Sequence, residues 1–258
     1  MTLEEAKSLA EQGNVDAMMA LADYYSQQKD DEDAINVAFQ YYEQAAEAGE
    51  PNAILKMAQT SRMTAGVGFS MMESVGRIDS MIEDIEKAYH WASMLEAAVR
   101  RLNITNQETL EFVRENLIVA ISRLSTVYYY DQKYDEMAKI TKDIEHPYAQ
   151  AIYGLALFEA AETDEEYAKT IPYLRNIENV ACWNKDYQST KFSQGVLADT
   201  ATYLSTIYRL ISGNIDASRE ALMLIVNNSQ NESLRDQAKK DIADHYKKKL
   251  LGGYTYIK

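Results

Sequence analysis

A short phrase returns in this chain after 36 residues. Gly13-Asn14-Val15-Asp16-Ala17, followed by Leu21-Ala22, is echoed by Gly49-Glu50-Pro51-Asn52-Ala53, followed by Met57-Ala58. A unit of that length is one helical hairpin, which cannot bury its apolar face alone and must stack on neighbours. Elsewhere apolar residues recur at i, i+3, i+4 rather than alternating, and only three prolines and ten glycines interrupt them. The pattern predicts an all-α chain, an α-solenoid of about six antiparallel helical hairpins forming a single domain over 1–258.

Helix starts are marked by capping boxes, in which a hydroxyl and a carboxylate satisfy each other's orphan amides. Thr2…Glu5, Ser80…Glu83, Thr105…Glu108 and Thr163…Glu166 fit that pattern. Helices are predicted at 3–12, 14–28, 32–48, 51–64, 80–101, 106–130, 133–144, 147–161, 164–178, 190–212, 214–228 and 231–249. Pro172 falls inside the ninth and should kink or split it. The last, lysine-rich helix is predicted to cap the stack.

Degenerate copies of the first helix follow at Ala120…Leu124…Tyr128, Ala151…Leu155…Phe158 and Leu204…Tyr208. The second helix of the first hairpin, with the turn after it, carries Tyr41-Tyr42-Glu43-Gln44-Ala45-Ala46-Glu47-Ala48-Gly49 and then Ala53. This string resembles the Sel1-like repeat, a relative of the tetratricopeptide repeat whose hairpins carry a Tyr-Tyr or Trp-Tyr, then Ala-Ala, Gly and Ala. The likeness is good over 1–60, fair over 80–100 and only tetratricopeptide-like from about 105 onward. It implies a right-handed superhelix and a role as scaffold or adaptor for other proteins. Some secreted relatives carry a disulfide in each repeat; Cys182 is the lone cysteine here, which departs from that branch.

The repeat breaks over about 65–79, where Ala65-Gly66-Val67-Gly68-Phe69-Ser70-Met71-Met72 does not continue a helical face. An irregular insertion is expected, with Phe69, Met71 and Met72 either meeting a partner or tucking against adjacent helices. Tyrosine is abundant, at nineteen residues against five Phe and two Trp. Aligning first helices on Leu21, Leu124, Leu155 and Leu204 puts Tyr25, Tyr128 and Tyr208 at one position, with Glu159 the exception. A stripe there either lines the inner face and binds a partner, or packs between hairpins.

A formal net charge of −14 excludes a nucleic-acid surface and suits a neutral or basic peptide. The charge is uneven: Arg235–Lys258 holds seven Lys/Arg and three Asp, a net of +4. No run is long and apolar enough to span a membrane, and the Met1-Thr2-Leu3-Glu4-Glu5 start has no signal character, which reads as cytoplasmic. His90, His146 and His245 stand apart, and no zinc, calcium or phosphate-binding motif occurs. No catalytic, cofactor or metal site is therefore expected. The sequence reads as a non-enzymatic protein- or peptide-binding scaffold. The alternative is a regulatory or immunity-type protein whose acidic surface neutralises a partner. Neither reading fixes an oligomeric state.

Overall fold

The computed structural model describes residues 1–75, 82–248 and 253–257, with the backbone alone for 72–75. The chain is mostly helical, with twelve α-helices among these residues. It divides into two compact units: Met1–Gly68 with Glu83–Ala120, and Phe69–Ile82 with Ile121–Lys258.

The first unit contains α1 (Leu3–Glu11), α2 (Val15–Ser26), α3 (Glu32–Glu47), most of α4 (Pro51–Val75), α5 (Ile82–Arg101) and the first half of α6 (Gln107–Tyr130). The repeated phrase is its joint. Gly13 ends α1 at φ +84°, with Gly13 N donating to Ala10 O and Asn14 N to Leu9 O. Gly49 ends α3 in the same way at φ +91°, its neighbour Glu50 donating to Ala45 O. These are Schellman closures, which favour a glycine because its missing Cβ permits the left-handed backbone. The next residue then caps the next helix: Asn14 Oδ1 accepts from Ala17 N at 2.9 Å, and Glu50 Oε2 from Ala53 N at 2.7 Å. Ala17, Leu21 and Ala22 share one buried core with their counterparts Ala53, Met57 and Ala58.

Two expectations change along α4 and α6. The helix beginning at Pro51 does not stop at residue 64 but runs through to Val75, so residues 65–75 are helical and not an irregular insertion. With Ala65 and Phe69 both buried, the i, i+4 spacing continues despite Gly66 and Gly68. Residues 76–81, including Gly76 and Ser80, lie outside the described residues. The cap of α6 is also moved by one: Asn106 Oδ1, not Thr105, accepts from Thr109 N at 2.9 Å.

The second unit holds the rest of α6, then α7 (Tyr134–Thr141), α8 (Pro147–Glu159), α9 (Asp164–Leu174), α10 (Lys191–Leu210), α11 (Ile215–Asn228) and α12 (Glu232–His245). Neighbouring helices pack in sequence, α7 on α8, α8 on α9, α10 on α11 and α11 on α12. Pro172 lies inside α9, which ends two residues later; 3-10 turns at Arg175–Glu178 and Val180–Trp183 replace the predicted continuation to 178. Loss of an amide donor two residues before the end makes this the weakest place in the helix.

The C-terminus departs most from expectation. The basic capping helix predicted over 231–249 ends at His245, and Lys247 and Lys248 lie on a strand. That strand, β1 (Tyr246–Lys248), pairs antiparallel with β2 (Tyr254–Tyr256), Tyr246 opposite Tyr256. The hairpin docks on α11 rather than ending the chain as a free polar helix.

Candidate functional site

Helices α6, α8 and α10 bring two carboxylates and two tyrosines of the second unit together. Glu159 closes α8, while Asp199 and Tyr203 stand one turn apart on the same side of α10. Tyr129, near the end of α6, donates to Asp199 Oδ2 across 3.0 Å and lies 3.4 Å from Glu159 Oε1. A phenol has one proton to give, so the shorter contact takes it. The hydroxyl of Tyr203 is placed to serve Glu159 in turn. Around them, Phe158 stacks on Tyr203 with centroids 4.3 Å apart and planes at 16°, and Tyr134 meets Tyr129 edge-on at 6.2 Å.

All four polar residues are half-buried, and the proton affinities of Tyr129, Tyr203 and Asp199 reflect it. Burial drives the Tyr129 phenol far above its ordinary range, with the charges of Asp199 and Glu159 adding to the effect. Burial likewise pushes Tyr203 up to about 12. Asp199 is raised, first by burial and then by the Glu159 charge, against the opposing hydrogen bond from Tyr129. Among the described residues no Lys or Arg forms an ion pair with Glu159 or Asp199. Two half-buried carboxylates with no counter-ion among the described residues are costly to hold in a fold, and such places concentrate at working sites.

Of the tyrosine stripe expected from sequence, Tyr25 lies in the first unit and Tyr128 and Tyr208 in the second. Tyr25 belongs to the first unit, where it is half-buried against the core and stacks on Tyr41 at 6.3 Å with planes 9° apart. Its neighbour Tyr24 is 50% exposed. Tyr128 is half-buried beside the fully buried Val127. Phe69, expected either to meet a partner or to tuck against adjacent helices, is only 1% exposed on α4, whereas Met71 is 55% exposed. The side chain of Met72 lies outside the described residues.

Tyr208 lines a cleft. Its hydroxyl donates to Glu178 Oε1 at 3.2 Å, and burial followed by the Glu178 charge raises its pKa. The cleft, about 490 Å³, runs between the Arg175–Glu178 turn and the side of α11 that carries Ala217, Glu220 and Leu224. A smaller groove of about 270 Å³ in the first unit is lined by Glu43, Glu47, Glu83 and Lys87, with Lys87 paired to Glu83 at 2.9 Å.

Sequence reasoning passed over Tyr129, Asp199 and Tyr203, but left a trace at Glu159, the one position where the aligned tyrosine is replaced. Among the described residues no group of three or more His, Cys, Asp or Glu could hold a metal ion, and no helix is long and apolar enough to cross a membrane. Burial pushes the Cys182 thiol up to about 12, which leaves it without thiolate character at neutral pH. No protein-family model matches the chain, and no curated protein matches it in sequence.

Proposed function

We propose that the chain is a non-enzymatic helical-repeat scaffold that binds a protein or peptide on the inner face of a solenoid built from its first helices. The observation that carries this reading is the half-buried Glu159–Asp199 pair, set among Tyr129, Tyr134 and Tyr203 with no Lys or Arg paired to it among the described residues. A lysine or arginine side chain of the partner would supply the missing charge, and the stacked Phe158–Tyr203 pair offers it an aromatic face. The net charge of −14 steers a basic segment toward the same protein. Likeness to Sel1-like repeats supports the scaffold role.

The test is comparative capture from cells. Wild-type chain and an E159Q/D199N variant that is folded and at least as stable as wild type are used as bait, and bound proteins are identified by mass spectrometry. A partner retained by the wild type and lost by the variant is expected. Identical partner sets for the two baits would overturn the assignment.

A further inference from the structure

Four helices and α7 bring five aromatic rings to the neighbourhood of Glu159 and Asp199. Tyr129 comes from α6, Tyr134 from α7, Phe158 from α8 and Tyr203 from α10, while Tyr167 of α9 meets Phe158 at 4.9 Å. Each ring is half-buried, so each keeps part of its surface open. Elsewhere the chain covers aromatic rings with its own cations. Lys56 lies over Tyr42, Lys191 over Phe192, Arg219 over Tyr254 and Arg209 over Tyr256. Among the described residues no Lys or Arg lies over the five rings near Glu159, and none pairs with either carboxylate.

A cation entering this place meets oxygens that are already in use. Asp199 Oδ2 accepts from Tyr129 at 3.0 Å, and Glu159 faces the hydroxyls of Tyr129, at 3.4 Å, and of Tyr203. A lysine brings three N–H donors and an arginine five, and a donor left without an acceptor in a half-buried place costs free energy. A quaternary ammonium brings none. Its stabilisation comes from negative potential and from ring faces, which two carboxylates among tyrosines supply.

We propose that the basic side chain taken from the partner is a methylated lysine. Its trimethylammonium head sits against Tyr129, Tyr134, Phe158 and Tyr203 in the field of Glu159 and Asp199. This rests on the function proposed above and names the chemistry of its partner. The carboxylates select for charge, and the engaged oxygens select against N–H donors. An unmethylated lysine or an arginine would compete with the phenols for the same oxygens.

The probes are acetyl-Ala-Xaa-Ala-amide peptides titrated into the 15N-labelled full chain at low salt, with trimethyllysine, lysine or arginine at Xaa. A fourth peptide carries the uncharged isostere in which carbon replaces the quaternary nitrogen. Shifts are expected at the amides of Tyr129, Tyr134, Glu159, Asp199 and Tyr203. The trimethyllysine peptide should bind about tenfold more tightly than the lysine one, and the isostere should not bind. E159Q/D199N should lose the trimethyllysine peptide, but the ranking of peptides is read on the wild-type chain and needs no variant. Lysine or arginine binding at these residues as tightly as trimethyllysine would overturn the methylated head and leave the function proposed above intact. Equal binding of the isostere would overturn it too, since charge would then contribute nothing. Shifts that avoid these residues with every cationic peptide would overturn both this inference and the reading beneath it.

Discussion

Tyr129 donates its hydroxyl to Asp199 across 3.0 Å, tying α6 to α10 through a carboxylate that the fold half-buries. The bond lowers the cost of that charge without removing it, because burial and Glu159 still raise the Asp199 pKa above its ordinary value of 3.8. A carboxylate whose folded pKa is raised favours the folded state most when protonated. Its contribution is lost as pH rises from the unfolded value through the folded one. Asp199→Asn should therefore raise the melting temperature at pH 7, and the advantage should shrink as pH falls toward 4. Paired melting curves across that range check the sign; a variant less stable than wild type at pH 7 would show the charge to be compensated.

Gly154 on α8 touches the end of α9 so closely that an added Cβ would stand 2.7 Å from Leu174 N and 2.8 Å from Tyr173 Cβ. Backbone cannot step aside as a side-chain tip can. Gly154→Ala is expected to cost about 1–3 kcal/mol in urea unfolding. Gly195→Ala, which meets only the movable hydroxyl of Tyr130, should cost less.

Two buried phenols should respond oppositely to losing their hydroxyl. Tyr42 donates to Asp23 at 2.6 Å, so Tyr42→Phe should cost about 1–2 kcal/mol. Tyr148 is fully buried, with its pKa pushed up to about 12 by burial, and its hydroxyl makes no well-formed hydrogen bond despite Ser122 and Ser125 beside it. Tyr148→Phe should be neutral or stabilising by about 1 kcal/mol, since it removes a polar group already desolvated. Chemical denaturation of the two variants side by side decides it.

The start of α9 depends on a reciprocal cap. Thr163 Oγ1 accepts from Glu166 N at 3.3 Å, while Glu166 Oε2 accepts from Thr163 N at 3.1 Å. Thr163→Ala should cost about 1 kcal/mol. Glu166 is held below the usual carboxylate range, first by the backbone amide of Glu162 and then by Thr163. Its contribution is therefore present above the ordinary carboxylate pKa and lost as pH falls through the lowered one. The gap between wild-type and T163A melting temperatures should narrow in acid as the Thr163 Oγ1–Glu166 carboxylate bond is lost, without closing, because the Glu166 N–Thr163 Oγ1 bond does not titrate.

The sequence by itself determined the local grammar of this protein. Gly13 and Gly49 end helices because only they take the left-handed turn cheaply, and Asn14, Glu50 and Asn214 start the next because each accepts the amide three residues on. The i, i+3, i+4 rhythm placed most helices, since it is a property of neighbours along the chain. Tertiary structure decided the rest. Tyr24 and Tyr25 are equally tyrosine in sequence, and only packing against Tyr41 and the core turned Tyr25 inward. The glycines at 66 and 68 read as a break, yet burial of Ala65 and Phe69 carries α4 across them. The last lysines read as helix, but Asp216, Arg209 and Arg219 on α10 and α11 bind the tyrosines of a hairpin instead. Glu159 and Asp199 become a pair only because α8 and α10 converge on Tyr129. Periodicity and capping are written in adjacent residues, whereas the burial of a charge depends on which distant helix packs beside it.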